Sequence, residues 1–325
     1  MTLPKEDILA ILEQNIAIRK SAFPLSWKRL TAWAKGLGLK RGGKVVIFTG
    51  HMYQIIPFIK GVQKRQKKIS NPSQKTRLAR IINPIFSVST LMSIAAASPQ
   101  DIRLYNGYLR NIVFLLRLAG IDPGYLYERE DYAGTLAYDL GLQHVFERHA
   151  KKVYRTLKEA GVGTVITVDP HTTYILGHIY PELINGFDLE VKSYLEILAE
   201  KLPKKLHFNG DSKVVIHDSC VYTRYLDVSE APRKLLKQAG YNVCEPELSG
   251  RLTHCCGGPI ESLFPEKTRE IAQKRLESLS AIGKKIVTMC PVCHLNLKAA
   301  TQDKVEIKDI SEYLLESSST QKTST

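Results

Sequence analysis

The stretch Lys213-Val-Val-Ile-His-Asp-Ser-Cys220 decides the fold, because its first four residues repeat Lys44-Val-Val-Ile47. Each run is short, β-branched and bounded by turn residues, which is the signature of a buried strand. A second strand recurs as Thr164-Val-Ile-Thr-Val168 and Lys285-Ile-Val-Thr-Met289. A helical stretch precedes each of these, Val145 to Ala160 and Glu266 to Ala281, and a glycine stop follows each helix. The endings match as well. Glu190-Val-Lys192 with Leu198-Ala-Glu200 parallels Glu306-Ile-Lys308 with Leu314-Leu-Glu316. Strands alternating with amphipathic helices imply parallel sheets. The sequence therefore predicts an α/β protein of two tandem pseudo-repeats, each a small parallel sheet flanked by helices, behind an N-terminal helical lead-in.

The expected boundaries are a lead-in over 1–42, a first repeat over 43–205, a second over 206–316 and a Ser/Thr-rich disordered tail over 317–325. His51 to Tyr132 spans 81 positions and the equivalent step, Cys220 to Cys255, spans 35. The excess places an insertion near 57–102. It carries the basic residues Lys60, Lys64, Arg65, Lys67, Lys68, Lys75, Arg77 and Arg80, and then the apolar stretch Ile81 to Ala97. That apolar stretch is 17 residues long and contains Asn83 and Pro84, which is short and polar for a membrane span, so a buried helix is expected.

The chain has 325 residues, 44% of them hydrophobic, and a formal net charge of +14. That composition excludes wholesale disorder and collagen-like repeats, and six cysteines are too few for a disulfide-stapled fold of this length. The N-terminus lacks a basic start followed by an apolar run, so a secretory signal is not expected and a cytoplasmic chain is. The Lys60–Arg80 run reads either as a solvated face or as a docking face for an acidic protein or an anionic membrane surface. No nucleic-acid-binding signature accompanies it, and no nucleic-acid partner is expected.

Five of the six cysteines lie in the second repeat: Cys220, then Cys255-Cys256 before two glycines, then Cys290-Pro-Val-Cys293. Cys220 and Cys290 each follow a strand, and the carboxyl ends of parallel strands open on one edge, where α/β proteins bind ligands. Three segments thus bring five thiols to one crevice. A single zinc ion takes four ligands, whereas a multi-iron cluster has several irons to share. His217, His254 and His294 stand beside the cysteine groups, with Arg224 and Arg251 near them, and can donate hydrogen bonds to sulfur that raise a reduction potential. The alternative reading is a set of buried thiols with a zinc-ribbon-like CxxC. Cys244 falls outside the pattern and reads as a core thiol.

These residues resemble the cysteine-rich CCG domain of the heterodisulfide reductase B/D subunits. The resemblance covers most of the chain, including the lead-in around Ala22-Phe-Pro-Leu-Ser26 and Trp33-Ala-Lys35. It implies two repeats and one [4Fe-4S] cluster per chain, noncubane in the B subunit, held by Cys220, Cys255, Cys256, Cys290 and Cys293. Spacing alone leaves cubane and noncubane geometry open. The first repeat departs from the pattern. His51 stands for the first cysteine, Tyr132 and Ala133 for the pair, and Asp169 and Thr172 for the CxxC. No cluster is expected there. His51 and Asp169 read as relic packing, or else as zinc ligands or pocket lining.

The resemblance implies an iron–sulfur oxidoreductase subunit that passes electrons to or from a disulfide/thiol substrate. Histidine titrates in the useful range, so His254 or His294 reads as its proton donor, or else as a hydrogen-bond donor to the cluster. Electrons would arrive from a ferredoxin-like or flavin-containing partner subunit, in a complex that touches the membrane through Lys60–Arg80. The alternatives are a non-catalytic electron-transfer or assembly subunit linking a dehydrogenase to a quinone pool, and a structural zinc protein.

Overall fold

A computed structural model describes residues 5–66, 72–85, 87, 97–203, 212–258, 260, 263–301 and 305–319. Two four-stranded parallel sheets carry the chain. In the first repeat the strands are β1 Val45–Phe48, β2 Gly124–Tyr125, β3 Thr164–Thr167 and β4 Glu190–Ser193, in the order β2-β1-β3-β4. In the second they are β5 Lys213–Ile216, β6 Asn242–Cys244, β7 Lys285–Thr288 and β8 Glu306–Asp309, in the order β6-β5-β7-β8. The repeat read from Lys-Val-Val-Ile is thus a repeat of topology.

Each central strand begins exposed or half-exposed and then buries three consecutive residues. Helices cover both faces, so a parallel strand reads as a continuous apolar run rather than an alternating one. The chain leaves β1 for one edge, β2, and returns to the other side of β1 as β3. Strand order therefore reverses between β1 and β3, and likewise between β5 and β7. Crevices open at the carboxyl ends of strands at such reversals.

Two strands carry no signal in the sequence. β2 is two residues long and contains no β-branched side chain. It pairs with β1 through Val46 and Gly124, close enough to the lead-in that a Cβ on Gly124 would collide with the carbonyl oxygen of Gly42. β6 is a three-residue edge strand beside β5.

The lead-in forms the helix Lys5–Arg19, a short helix Trp27–Leu30 and a turn over Ala32–Ala34. Trp33 is buried edge-on against Tyr125, with ring centroids 4.8 Å apart. Among the described residues the insertion holds three helices, Met52–Gln66, Pro72–Ile82 and Pro99–Leu118. The third buries Tyr105, Tyr108, Leu109, Ile112, Val113, Leu115 and Leu116 and lies between the repeats. The apolar stretch expected as a buried helix is otherwise arranged at its start. Ile81 and Ile82 end the helix Pro72–Ile82 and are exposed, as is Ile85. Their apolar side chains stand on the outer face of a helix that ends at the turn through Asn83 and Pro84. Residues 86 and 88–96 of that stretch lie outside the described residues.

At the other end the last helix, Ile310–Ser319, runs three residues into the stretch expected as a disordered tail, and 320–325 lie outside the described residues. Leu314 is fully buried on that helix and packs it to the core, which carries the helix past the Ser/Thr-rich boundary. Among the described residues, no helix is long and apolar enough to cross a membrane.

The repeats meet through buried polar contacts. The Tyr53 hydroxyl donates to Asp309 at 2.9 Å, and the Ser193 hydroxyl donates to that of Tyr222 at 2.9 Å. These join the end of each sheet to the helices of the other repeat.

Candidate metal centre

β5 ends at Ile216, and the backbone N–H of His217 extends its ladder by donating to the Val287 carbonyl at 2.9 Å. His217-Asp218-Ser219 then turn the chain so that Cys220 begins the helix Cys220–Tyr225. Asp218 holds this turn. It is fully buried and accepts two bonds from Arg233, both at 2.9 Å, and one from the Gly250 N–H at 2.7 Å. Such bidentate geometry fixes direction as well as distance. Arg233 also grips Glu245, so Asp218 ties the Cys220 turn to the segment that leads into Cys255.

Thr253 to Gly258 form an irregular loop. Arg224 clamps it by donating to the Arg251 and Thr253 carbonyls. Arg224, expected as a charge partner for sulfur, thus serves the backbone, and Arg251 is exposed. Gly257 has φ +89°, and a Cβ there would lie 2.9 Å from the Thr268 carbonyl oxygen. Only glycine fits that position. After β7, Cys290 caps the helix Pro291–Ala300, which carries Cys293 one turn on.

The five thiols form a continuous chain of sulfur contacts, in the order Cys220, Cys255, Cys256, Cys293, Cys290. Cys256, Cys290 and Cys293 are buried, while Cys220 and Cys255 are half-buried on the open side. Hydrogen bonds from Cys220 and Cys256, with the N–H of Gly257, hold Cys255 far below the ordinary thiol range. Burial opposes ionisation of Cys290, but hydrogen bonds from Cys293 and His171 outweigh it and pull its pKa down. Their donors Cys220, Cys256 and Cys293 are pushed up, Cys220 chiefly by its bond to Cys255. A ring nitrogen of His217 lies within 4.8 Å of the sulfurs of Cys256 and Cys293. Cys244 sits apart on β6, half-buried against the core.

The histidines expected beside the thiols take three different places. His217 is buried against them. His254 is half-buried on the loop. His294 has no open ring nitrogen, because the Tyr105 and Tyr108 hydroxyls lie 2.9 Å from Nδ1 and 3.1 Å from Nε2. Burial holds it at about 3, as a neutral bridge between the repeats. The proton-donor expectation for His294 therefore meets a ring already engaged at both ends.

In the first repeat, His51 stands at φ 61°, buried, with Nδ1 unpartnered among the described residues, and burial lowers its pKa to about 4. Asp169 caps the helix Pro170–Tyr174 by accepting from the Thr172 N–H at 3.0 Å. Its other oxygen has no partner among the described residues, and burial pushes the carboxyl up to about 6. The Tyr132 hydroxyl contacts that of Thr135 at 2.6 Å, and Ala133 is fully buried. Among the described residues, the one group of three His, Cys, Asp or Glu close enough to hold a metal ion is His217, Cys256 and Cys293.

Sequence reasoning missed three residues here. Arg275 is fully buried against His217. His171, 3.4 Å from Asp139, reaches the Cys290 sulfur from the first repeat. It sits between Asp169 and Thr172, inside the stretch that matches Cys290 to Cys293, so aligning the repeats places it opposite Val292. Glu130, buried under β1, accepts from both the N–H and the hydroxyl of Thr49.

Of the basic run, Lys60 pairs with Asp101 at 2.7 Å and Arg80 with Asp7 at 3.1 Å. Arg77 is exposed, and Lys67 and Lys68 lie outside the described residues.

A parallel α/β repeat that gathers five cysteines at the carboxyl ends of two neighbouring strands defines a thiol-rich metal-binding class. Residues 214–298 match the CCG family, a cysteine-rich domain, along the whole segment that carries the thiols. The chain is 29% identical over 220 residues, 62% of its length, to the probable iron-sulfur-binding oxidoreductase FadF of Bacillus subtilis. It is 30% identical over 221 residues, again 62% of its length, to the EtfAB:quinone oxidoreductase of Syntrophomonas wolfei. It is 26% identical over 129 residues, 38% of its length, to a subunit of the dihydromethanophenazine:CoB–CoM heterodisulfide reductase of Methanosarcina acetivorans. These matches cover 30%, 31% and 32% of the respective relatives, so the chain spans about a third of their length.

The residues present fit an iron–sulfur group. Five contiguous sulfurs overfill a tetrahedral ion, and buried His217 has a ring nitrogen within 4.8 Å of two of them.

Proposed function

We propose that this chain is an iron–sulfur oxidoreductase subunit of heterodisulfide reductase type, which passes electrons through one CCG-bound [4Fe-4S] cluster to or from a disulfide/thiol substrate. The observation that carries this reading is the unbroken run of sulfurs from Cys220 to Cys290 at the β5/β7 edge.

In this reading Cys220, Cys255, Cys256, Cys290 and Cys293 hold the cluster, which supplies one-electron chemistry and an iron to which a thiolate can bind. The protein orients the exchange. Cys256, Cys290 and Cys293 are buried, so a substrate sulfur approaches from the Cys220 and Cys255 side, where His254 also stands. Asp218, Arg233 and Arg224 hold the two half-buried cysteines on a rigid frame. His51 and Asp169 serve as packing at the first crevice.

A ferredoxin-like or flavin-containing subunit is the proposed electron donor, and the Lys60–Arg80 face is its proposed dock, in a cytoplasmic complex or one peripheral to the membrane. Iron and acid-labile sulfide in equal amounts, with a paramagnetic signal after reduction, are expected from protein purified without air. Zinc without iron would overturn the reading.

The relative named EtfAB:quinone oxidoreductase favours a second reading, an electron-transfer subunit serving a quinone pool. A substrate thiol added to half-oxidised protein separates the two. A disulfide-active site gives a thiol-dependent paramagnetic state, and a relay gives reversible reduction alone.

A further inference from the structure

Arg275 projects from the helix Pro265–Ser280 to the thiol centre and is fully buried. Each of its three nitrogens is committed. Nε donates to Nδ1 of His217 at 3.1 Å, Nη1 to the Leu248 carbonyl at 3.0 Å and Nη2 to the Thr253 hydroxyl at 3.2 Å. A guanidinium has donors and no acceptor. Nδ1 of His217 must therefore be the acceptor and carry no hydrogen, which puts the ring hydrogen on Nε2. Nε2 is buried and has no partner among the described residues. His217 has a ring nitrogen within 4.8 Å of the sulfurs of both Cys256 and Cys293, and its hydrogen-bearing Nε2 is the nitrogen that the described residues leave unbonded.

By composition alone, His217, Cys256 and Cys293 make a plausible set of three metal ligands. The hydrogen placement says otherwise. A histidine binds metal through a lone pair, and the lone pair of this ring points at Arg275. We propose that Arg275 is a positioning residue that locks His217 as the Nε2–H tautomer, making His217 a hydrogen-bond donor to the sulfur core and not a sixth ligand. This rests on the reading that the five cysteines hold an iron–sulfur group.

The consequence is electronic. An N–H donor withdraws density from thiolate or sulfide and raises the reduction potential, and the fixed guanidinium charge acts in the same direction. The lock also ties together two of the three cysteine-bearing segments. Arg275 grips the β5 turn at His217, the Cys255 loop at Thr253 and the bend at Leu248 together.

The tautomer is read directly by long-range 1H–15N spectroscopy of the full chain labelled in histidine, reduced and free of metal. His217 is expected to show a protonated Nε2 and a bare Nδ1, to keep them in Arg275→Lys, and to lose the fixed pattern in Arg275→Met. In loaded protein, His217→Leu is expected to keep its iron and to lower the midpoint potential by about a tenfold change in the one-electron equilibrium, 59 mV. His217→Gln, which restores an N–H, is expected to recover part of the shift. A hydrogen on Nδ1 in the wild-type chain overturns the proposal. So does a strong, directly bonded nitrogen coupling in pulsed paramagnetic spectra, or a potential unchanged in His217→Leu. If Arg275→Met fails to fold, the wild-type tautomer and the His217 variants still decide. Iron-free wild-type protein would sink the functional reading, whereas the tautomer would remain readable.

Discussion

The hydroxyl of Tyr105 lies 2.9 Å from Nδ1 of His294, and it joins the inserted helix of the first repeat to the helix that carries Cys293. Tyr108 holds the other ring nitrogen, and the three rings meet edge to face at 5.4–5.5 Å. The insertion is therefore a structural wedge behind the thiol centre.

That arrangement gives a stability prediction. Tyr105→Phe keeps the ring and strands one buried nitrogen of His294, which costs about 1–3 kcal/mol. Denaturant unfolding is the measurement. A loss that persists undiminished when His294 is already replaced by Leu would show that the hydroxyl acts elsewhere.

Gly257→Ala should damage the centre as well as the fold. The substitution puts a side chain at φ +89° and presses Cβ on the backbone of Thr268. The left-handed conformation alone costs roughly 1–2 kcal/mol for a non-glycine residue. A lower melting temperature and less iron per chain are expected. Full iron at unchanged melting temperature would contradict the geometry.

Cys220→Ser and Cys244→Ser should separate cleanly. Cys220 touches Cys255 in the sulfur chain, whereas Cys244 lies on an edge strand away from it. Iron content is expected to fall in the first variant and to stay at the wild-type level in the second. Equal iron in both would remove Cys220 from the ligand set.

Glu130 sets a pH dependence unrelated to the metal. Burial raises its carboxyl from 4.5 to about 8 in the folded protein. A raised carboxyl binds its proton more tightly when folded. Its charge therefore costs nothing at pH below 4.5, costs progressively more between 4.5 and about 8, and costs its full amount above that. Glu130→Gln keeps an oxygen to accept from Thr49 and removes the charge. Its stability relative to wild type should rise by a few kcal/mol from pH 5 to 9 in unfolding titrations. A pH-independent difference would mean that the carboxyl is not held protonated.

Much of this was legible in the residues. The paired Lys-Val-Val-Ile runs disclosed two parallel sheets, because a strand buried on both faces must be a continuous apolar run. The cysteine spacing disclosed three segments that meet, because parallel strand ends share an edge. The edge strands β2 and β6 were not legible. They are two and three residues long, and pairing with β1 and β5 forms them rather than any preference of their own. The start of the apolar stretch, Ile81 and Ile82, misled for a related reason: apolar composition does not say which helix faces find a partner.

The sequence by itself determined which strands repeat, which repeat keeps its thiols and in what order they lie, since local pattern and chain spacing carry that information. Tertiary structure alone decided which polar groups face those thiols. It turned His294 toward two tyrosines, brought His171 across from the first repeat and set Arg275 on His217. Those pairings join residues 58 to 189 positions apart, and no periodicity or motif encodes contacts at that distance.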